Sequence, residues 1–187
     1  MATEPAPPPL VILDRDGVIN EDSDHYIRSP EEWIPIPGSI EAIARLAKAG
    51  YRIAVATNQS GLARGYFDAA TLAAMHKKMH SLVEAAGGRI DYVAVCPHGP
   101  DDACTCRKPA PGLIREIGEH FGRELAGVPA IGDSLRDLLA AEALGCAPIL
   151  VRTGKGLATL RAHGPQLRDL PVYDDLAAAV DDLVKTH

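Results

Sequence analysis

The feature that most constrains this chain is a set of five short apolar runs: Leu10 to Leu13, Arg52 to Thr57, Asp91 to Cys96, Pro129 to Ile131 and Pro148 to Val151. Each is nearly continuous rather than alternating, the pattern of strands covered on both faces. Helical patterns lie between them. Ser39 to Ala49 opens on a candidate N-cap serine and stops at Gly50, and Asp68 to Ala86 opens on a candidate N-cap aspartate and stops at Gly87 and Gly88. Gly112 to Phe121, Ser134 to Leu144 and Asp174 to Lys185 complete the set. Strands alternating with helices predict an α/β fold, a Rossmann-like parallel sheet with helices on both faces. Its ligands should sit beyond the carboxyl ends of the strands. Asp14, Asp16, Thr57, Asn58, Cys96 and Asp133 fall at or just past those ends.

A chain of 187 residues, 47% of them hydrophobic, can bury one core of ordinary size. A single domain is expected over residues 10–187, preceded by a disordered segment at 1–9, where Pro5, Pro7, Pro8 and Pro9 remove backbone donors. No apolar run approaches the roughly 20 residues a membrane span needs, and the start lacks the features of a signal peptide. The expected location is therefore the cytoplasm, with no membrane partner. With 25 acidic against 19 basic residues the net charge is -6, which disfavours nucleic acid as a partner. No exposed apolar seam is evident, so a monomer is expected.

The first strand runs into Asp14-Arg15-Asp16-Gly17. Side chains two apart in extended chain project the same way, so two carboxylates would share one small volume and repel unless a cation or proton intervenes. A lone aspartate there would more often cap a turn; the pair favours a hard divalent cation with oxygen ligands, such as magnesium. Asp14, ionising near ~3.9 when free, can attack phosphorus as a carboxylate. Asp16 can give a proton to the leaving oxygen and then take one from water.

These residues resemble the first motif of the haloacid dehalogenase phosphatases, and the resemblance implies that Asp16 also offers its backbone carbonyl to magnesium. Thr57-Asn58-Gln59-Ser60-Gly61 looks like the second motif, whose hydroxyl and amide groups hold phosphoryl oxygens. Lys108 matches the lysine of the third motif, which neutralises the phosphate and the attacking carboxylate. Gly132-Asp133-Ser134-Leu135-Arg136-Asp137 resembles the fourth, with Asp133 as a direct magnesium ligand and Asp137 holding a metal-bound water. The structural alternative makes Asp133 or Ser134 a helix N-cap and Asp137 a favourable first-turn acid.

Cys96, His98, Cys104 and Cys106 supply three thiols and an imidazole within eleven residues. Cys-x-His with Cys-x-Cys fits a closed, structural Cys3His zinc site. Zinc there would fold a loop poor in apolar residues that leads directly to Arg107 and Lys108. Cys146 is expected to be a small buried residue. A non-catalytic zinc module would leave the other motifs unexplained.

The chain is similar over nearly its whole length to the D-glycero-D-manno-heptose 1,7-bisphosphate 7-phosphatases, with the histidinol-phosphate phosphatases as the nearest alternative. The likeness rests on Asp14 to Asn20, Tyr26, Ser29-Pro30-Glu31-Glu32-Trp33, Pro35-Ile36-Pro37-Gly38 and Thr57 to Gly61. It implies a sugar phosphate substrate. Arg107 offers a planar fork for a second phosphate. Asp22, Ser23, Asp24 and His25 are expected over the mouth of the site, and Asn58, Gln59, Ser60 and Ser134 are further candidates to bind substrate. The gaps after the first two strands are too short for a large cap domain.

Overall fold

A computed structural model of the chain describes residues 6–186. The first strand, β1 (Leu10–Leu13), is followed by α1 (Ser39–Lys48), β2 (Arg52–Asn58), α2 (Ala69–Ala85), β3 (Tyr92–Cys96), α3 (Gly112–Phe121) and β4 (Pro129–Gly132). After these come α4 (Leu135–Glu142), β5 (Ala147–Val151), α5 (Gly156–His163), β6 (Val172–Tyr173) and α6 (Leu176–Lys185). The strands form one parallel sheet in the order β3-β2-β1-β4-β5-β6. The chain winds outward from β1 to β3, then returns to the centre and winds the other way from β4. That reversal leaves a crevice at the carboxyl ends of β1 and β4.

Continuous apolar runs serve two cores at once. Successive strand residues face opposite sides of the sheet. Val11, Leu13, Ile53 and Val55 enter one core with Ile43, Leu46, Met75, Met79 and Val180 of α1, α2 and α6. Leu10, Ile12, Ala54 and Ala56 enter the other, against Leu113, Ile114 and Ile117 of α3 and Ala140 and Ala141 of α4. The small alanines on the second face let α3 and α4 lie close to the sheet.

All five expected strands and five expected helices are present; β1 and α3 keep the expected ends and the others shift by a residue or two. Ser39 is not the cap of α1. Gly38, with φ at 84°, takes that position, while the buried Ser39 hydroxyl donates to the Ile19 carbonyl at 2.6 Å and ties the segment after β1 to the helix. Asp68 does cap α2, accepting from the Thr71 N–H at 2.8 Å. The last helix is capped by Asp175 rather than opening at Asp174. Three elements were not foreseen: β6, only two residues long; α5, whose N-cap Lys155 makes no side-chain cap; and the short 3-10 helix Gly164–Leu167 between them.

The segments at 14–38 and 59–68 contain turns and isolated bridges among the described residues, so no separate folded layer covers the crevice. The segment after β1 is nonetheless anchored: Trp33 is fully buried, and Lys78 of α2 donates to the carbonyls of Pro30 and Trp33, each at 2.7 Å. Of the segment 1–9 expected to be disordered, residues 1–5 lie outside the described residues. At its far end the Pro8 carbonyl accepts from Arg123 and the Pro9 carbonyl from the Arg52 N–H.

Candidate active site

Asp14 leaves β1 with its N–H donated to the Ile131 carbonyl of β4 at 2.9 Å, which brings the ends of the two central strands together. Asp133 follows β4. Its approach to the Asp14 loop depends on Gly17, where φ is 85° and a Cβ would fall 2.0 Å from Asp133 Oδ2. The same oxygen accepts the Lys155 N–H at 2.8 Å.

Lys108 crosses beneath them, 3% exposed. Its Nζ donates to Asp14 Oδ1 at 2.9 Å and the Ala56 carbonyl at 2.7 Å, and lies 2.7 Å from Asp137 Oδ1. Its backbone is gripped by Asn58, which donates to the Lys108 carbonyl and accepts the Lys108 N–H. Both amide atoms of Asn58 therefore serve to place the lysine. Asp137 does two jobs as well, since its Oδ2 accepts from the Ser134 N–H and hydroxyl in a capping box that starts α4. The structural reading of that residue as a first-turn acid is thus met, and its other oxygen faces Lys108.

The Asp16 carboxylate is not shared with Asp14. Its Oδ1 accepts from Arg15 Nε at 3.1 Å, Arg15 Nη2 at 2.9 Å and Asn20 Nδ2 at 2.9 Å, while Oδ2 accepts from Gln59 Nε2 at 2.9 Å. The repulsion expected between the two aspartates is thus relieved by Arg15 on one side and Lys108 on the other. Thr57 differs from expectation too. It is completely buried, its hydroxyl accepting from Gln59 at 2.8 Å, and it stands behind the cleft rather than in it. Strand alternation turns Asn58, not Thr57, toward the opening.

The cleft above these groups holds about 240 Å³. Asp14, Asp16, Lys108, Asp133 and Asp137 line it together with Asp22, Ser23, Asp24, Asn58, Gln59, Ser60, Arg107 and Ser134. His25 does not; it is exposed, and its carbonyl accepts from Arg28. Tyr26, Ile27, Arg136 and Lys155 line it without having been singled out. Tyr26 left a trace in the sequence as part of the family likeness and Arg136 as an unassigned member of the fourth motif, whereas Ile27 and Lys155 carried no motif.

Electrostatics mark where a cation fits. Burial first, then Asp137, pushes the Asp14 carboxyl up to about 7 even though Lys108 opposes the shift. Burial, with Asp14 next, pushes Asp133 up to about 8. Burial acts to raise Asp16 also, but the Arg15 guanidinium and the surrounding donors outweigh it and hold that carboxyl below its usual range. Lys108, raised by Asp137 and Asp14 against its burial, stays charged but is shared between them. Oxygens of Asp14, Asp133 and Asp137 lie within 4.8 Å of one another. Crowded carboxylates with too little positive charge are what a hard divalent ion resolves.

A second group gathers on the loop after β3. Cys96, His98, Cys104 and Cys106 bring their ligand atoms within 4.8 Å of one another. Cys96 Sγ is 3.8 Å from Cys104 Sγ and 3.1 Å from Cys106 Sγ, and His98 Nδ1 is 3.3 Å from Cys106 Sγ. A tetrahedral ion with thiolates at ~2.3 Å separates them by about 3.8 Å. The cysteines are unpaired by disulfides, and the set fits one closed zinc site. Arg107 is wired to this loop, its N–H donating to Cys104 Sγ and its guanidinium to the His98 carbonyl. Cys146 lies apart and buried, as expected.

A family model described as polynucleotide kinase 3 phosphatase matches residues 10–130, and one described as HAD-hydrolase-like matches residues 105–179. Fold, carboxylate placement and these matches together define a haloacid dehalogenase-like hydrolase, and the chain is a phosphomonoester hydrolase of that class. The D-glycero-beta-D-manno-heptose-1,7-bisphosphate 7-phosphatase of Pseudomonas aeruginosa is 57% identical over 94% of this chain and 98% of its own, and that of Bordetella bronchiseptica is 56% identical over the same shares. The solved D,D-heptose 1,7-bisphosphate phosphatase of B. bronchiseptica, complexed with magnesium and phosphate, superposes with a TM-score of 0.92 at 55% identity, covering 96% of this chain and 99% of that one. Its counterpart from Burkholderia thailandensis gives 0.72 at 49% identity, over 94% and 98%. The chain belongs to the D-glycero-beta-D-manno-heptose-1,7-bisphosphate 7-phosphatase family.

Proposed function

We propose that the chain hydrolyses the 7-phosphate of D-glycero-beta-D-manno-heptose 1,7-bisphosphate, a step toward the nucleotide-activated heptose precursors of lipopolysaccharide. The observation that carries this reading is Lys108 seated between Asp14 and Asp137, with Asp133 facing them across the crevice. Asp14 attacks phosphorus, forming an aspartyl phosphate as the bond from phosphorus to the C7 oxygen breaks. Asp16, held ionised in the free site by Arg15 and its other donors, takes up the proton that a phosphate monoanion brings in and gives it to that oxygen. Its Oδ1 already accepts three donors, so Oδ2, which accepts Gln59, has the capacity left to carry it. Water then attacks the same phosphorus, passes a proton to Asp16 and frees phosphate and Asp14.

Asp14, Asp133, the Asp16 backbone carbonyl and, through water, Asp137 would hold magnesium, whose charge offsets that of the phosphoryl group and keeps Asp14 ionised. Ser60, Gln59 and Ser134 face the transferred group, and Arg107 faces the distal phosphate, with Asp22, Ser23 and Asp24 at the sugar. Zinc on Cys96, His98, Cys104 and Cys106 sets the loop that delivers Arg107 and Lys108. Residues 10–187 act as one catalytic domain, and the enzyme works as a cytoplasmic monomer. Among the described residues no helix is long and apolar enough to cross a membrane. A nucleic acid end is disfavoured as substrate by the net charge of -6.

Parallel assays with the β and α heptose bisphosphates, histidinol phosphate and fructose bisphosphate test the substrate. The β heptose bisphosphate should have the highest kcat/KM; a higher value for histidinol phosphate would replace this reading.

A further inference from the structure

Arg15 is among the most buried side chains of the molecule, yet it is charged and 1% exposed. Its Nε and Nη2 both point to Asp16 Oδ1. The remaining nitrogen, Nη1, lies 3.2 Å from Nε2 of His76 on α2, its one acceptor among the described residues. A guanidinium N–H can only donate, so His76 must present a lone pair at Nε2 and carry its proton at Nδ1. The surroundings agree. Burial first, then the charges of Arg15 and His80, against Asp16, hold the His76 imidazolium down to about 4. His76 is thereby a neutral acceptor at working pH.

We propose that His76 is a positioning residue for the acid/base Asp16, acting through the Arg15 fork. The inference rests on the reading of Asp16 as acid/base. A guanidinium is planar and rigid, so fixing Nη1 fixes the edge formed by Nε and Nη2. That edge in turn fixes Asp16 Oδ1 and leaves Oδ2 aimed at the cleft. Removing the acceptor leaves a buried N–H unsatisfied, and the fork rotates to find another partner. Rotation takes Nε and Nη2 off Asp16, which then samples orientations unsuited to protonating a leaving group.

The test compares H76L, which removes the acceptor at similar volume, with H76Q, whose Oε1 can reach the place of Nε2. Heptose bisphosphate, whose sugar alkoxide needs an acid, is set against p-nitrophenyl phosphate, whose leaving group needs almost none. kcat/KM reports the steps up to leaving-group departure. For H76L it should fall about tenfold or more with heptose bisphosphate and stay within about threefold with the aryl ester, and H76Q should recover most of the loss. Equal falls for both substrates, no fall for either, or no rescue by H76Q would overturn the proposal. Should H76L fail to fold, H76M takes its place in the same comparison. D16N is measured alongside. If it retains turnover of heptose bisphosphate, the acid/base reading itself fails; if it is inactive while H76L is unaffected, only the positioning role falls.

Discussion

Lys108 spends all three of its Nζ protons inside the protein, on Asp14, Asp137 and the Ala56 carbonyl, and this arrangement governs what single substitutions should do. Lys108→Met should lower kcat by roughly 10²- to 10³-fold, in line with loss of a preorganised charge at a phosphoryl site. Removing that cation also raises the Asp14 carboxyl further, so the residual activity should require higher pH; a full-rate K108M enzyme would remove the lysine from the account. Local motifs were readable in the sequence because Asp14 and Asp16, or Asp133 and Asp137, lie close along the chain. Arg15 was quoted in its motif without a role, and His76 drew no notice, because their contact spans 61 positions and is made only when α2 packs beside the Asp14 loop. Thr57 was given a catalytic place by its motif, but strand alternation buries it.

At the scale of elements, loops rather than strands decide access. Tyr26, at φ 66°, lines the cleft and meets the Tyr66 ring at 5.0 Å, while the Arg28 guanidinium sits 4.1 Å over Tyr66. This stack joins the loop after β1, which carries Asp22, Ser23 and Asp24, to the loop after β2. An aromatic pair and an exposed cation–π contact are each worth about 1 kcal/mol. Tyr66→Ala should therefore raise KM for the heptose bisphosphate about tenfold with kcat little changed; steady-state kinetics would contradict this by showing an unaltered KM. The Cys/His loop obeys a different logic if, as proposed, metal rather than apolar packing holds it. Cys104→Ser should release the metal, read by elemental analysis, and lower activity by displacing Arg107 and Lys108; a full complement of zinc in that variant would remove the site. The clustering of the loop was legible from four candidate ligands at tight spacing, whereas β6, two residues long, and α5, which has no side-chain cap to mark its start, were not.

For the molecule as a whole, the carboxylates couple stability to pH and metal. Asp14 and Asp133, raised to about 7 and about 8 from an ordinary 3.8, bind protons in the folded state that the unfolded chain has already released. Between about pH 4 and 8 the metal-free protein should accordingly lose stability as pH rises. Asp16 and Asp137, lowered in the fold, act oppositely and contribute stability that is present above their ordinary value and lost only in acid below it. Thermal melts should show Tm of the metal-free enzyme declining across that window, and magnesium should raise Tm more at pH 8 than at pH 5. Parallel slopes with and without magnesium would contradict the placement of the ion. The doubly wound sheet itself was legible because buried parallel strands must be apolar on both faces; of the cleft lining Lys155 was not, since it follows β5 and lies outside every motif.

The most direct test traps the enzyme during turnover of heptose bisphosphate with borohydride, which reduces an acyl phosphate to an alcohol, and locates the altered residue by peptide mass spectrometry. The account predicts conversion at position 14 alone, and only when substrate and magnesium are both present. Modification at another carboxylate, or none at Asp14 under conditions of steady turnover, would contradict it.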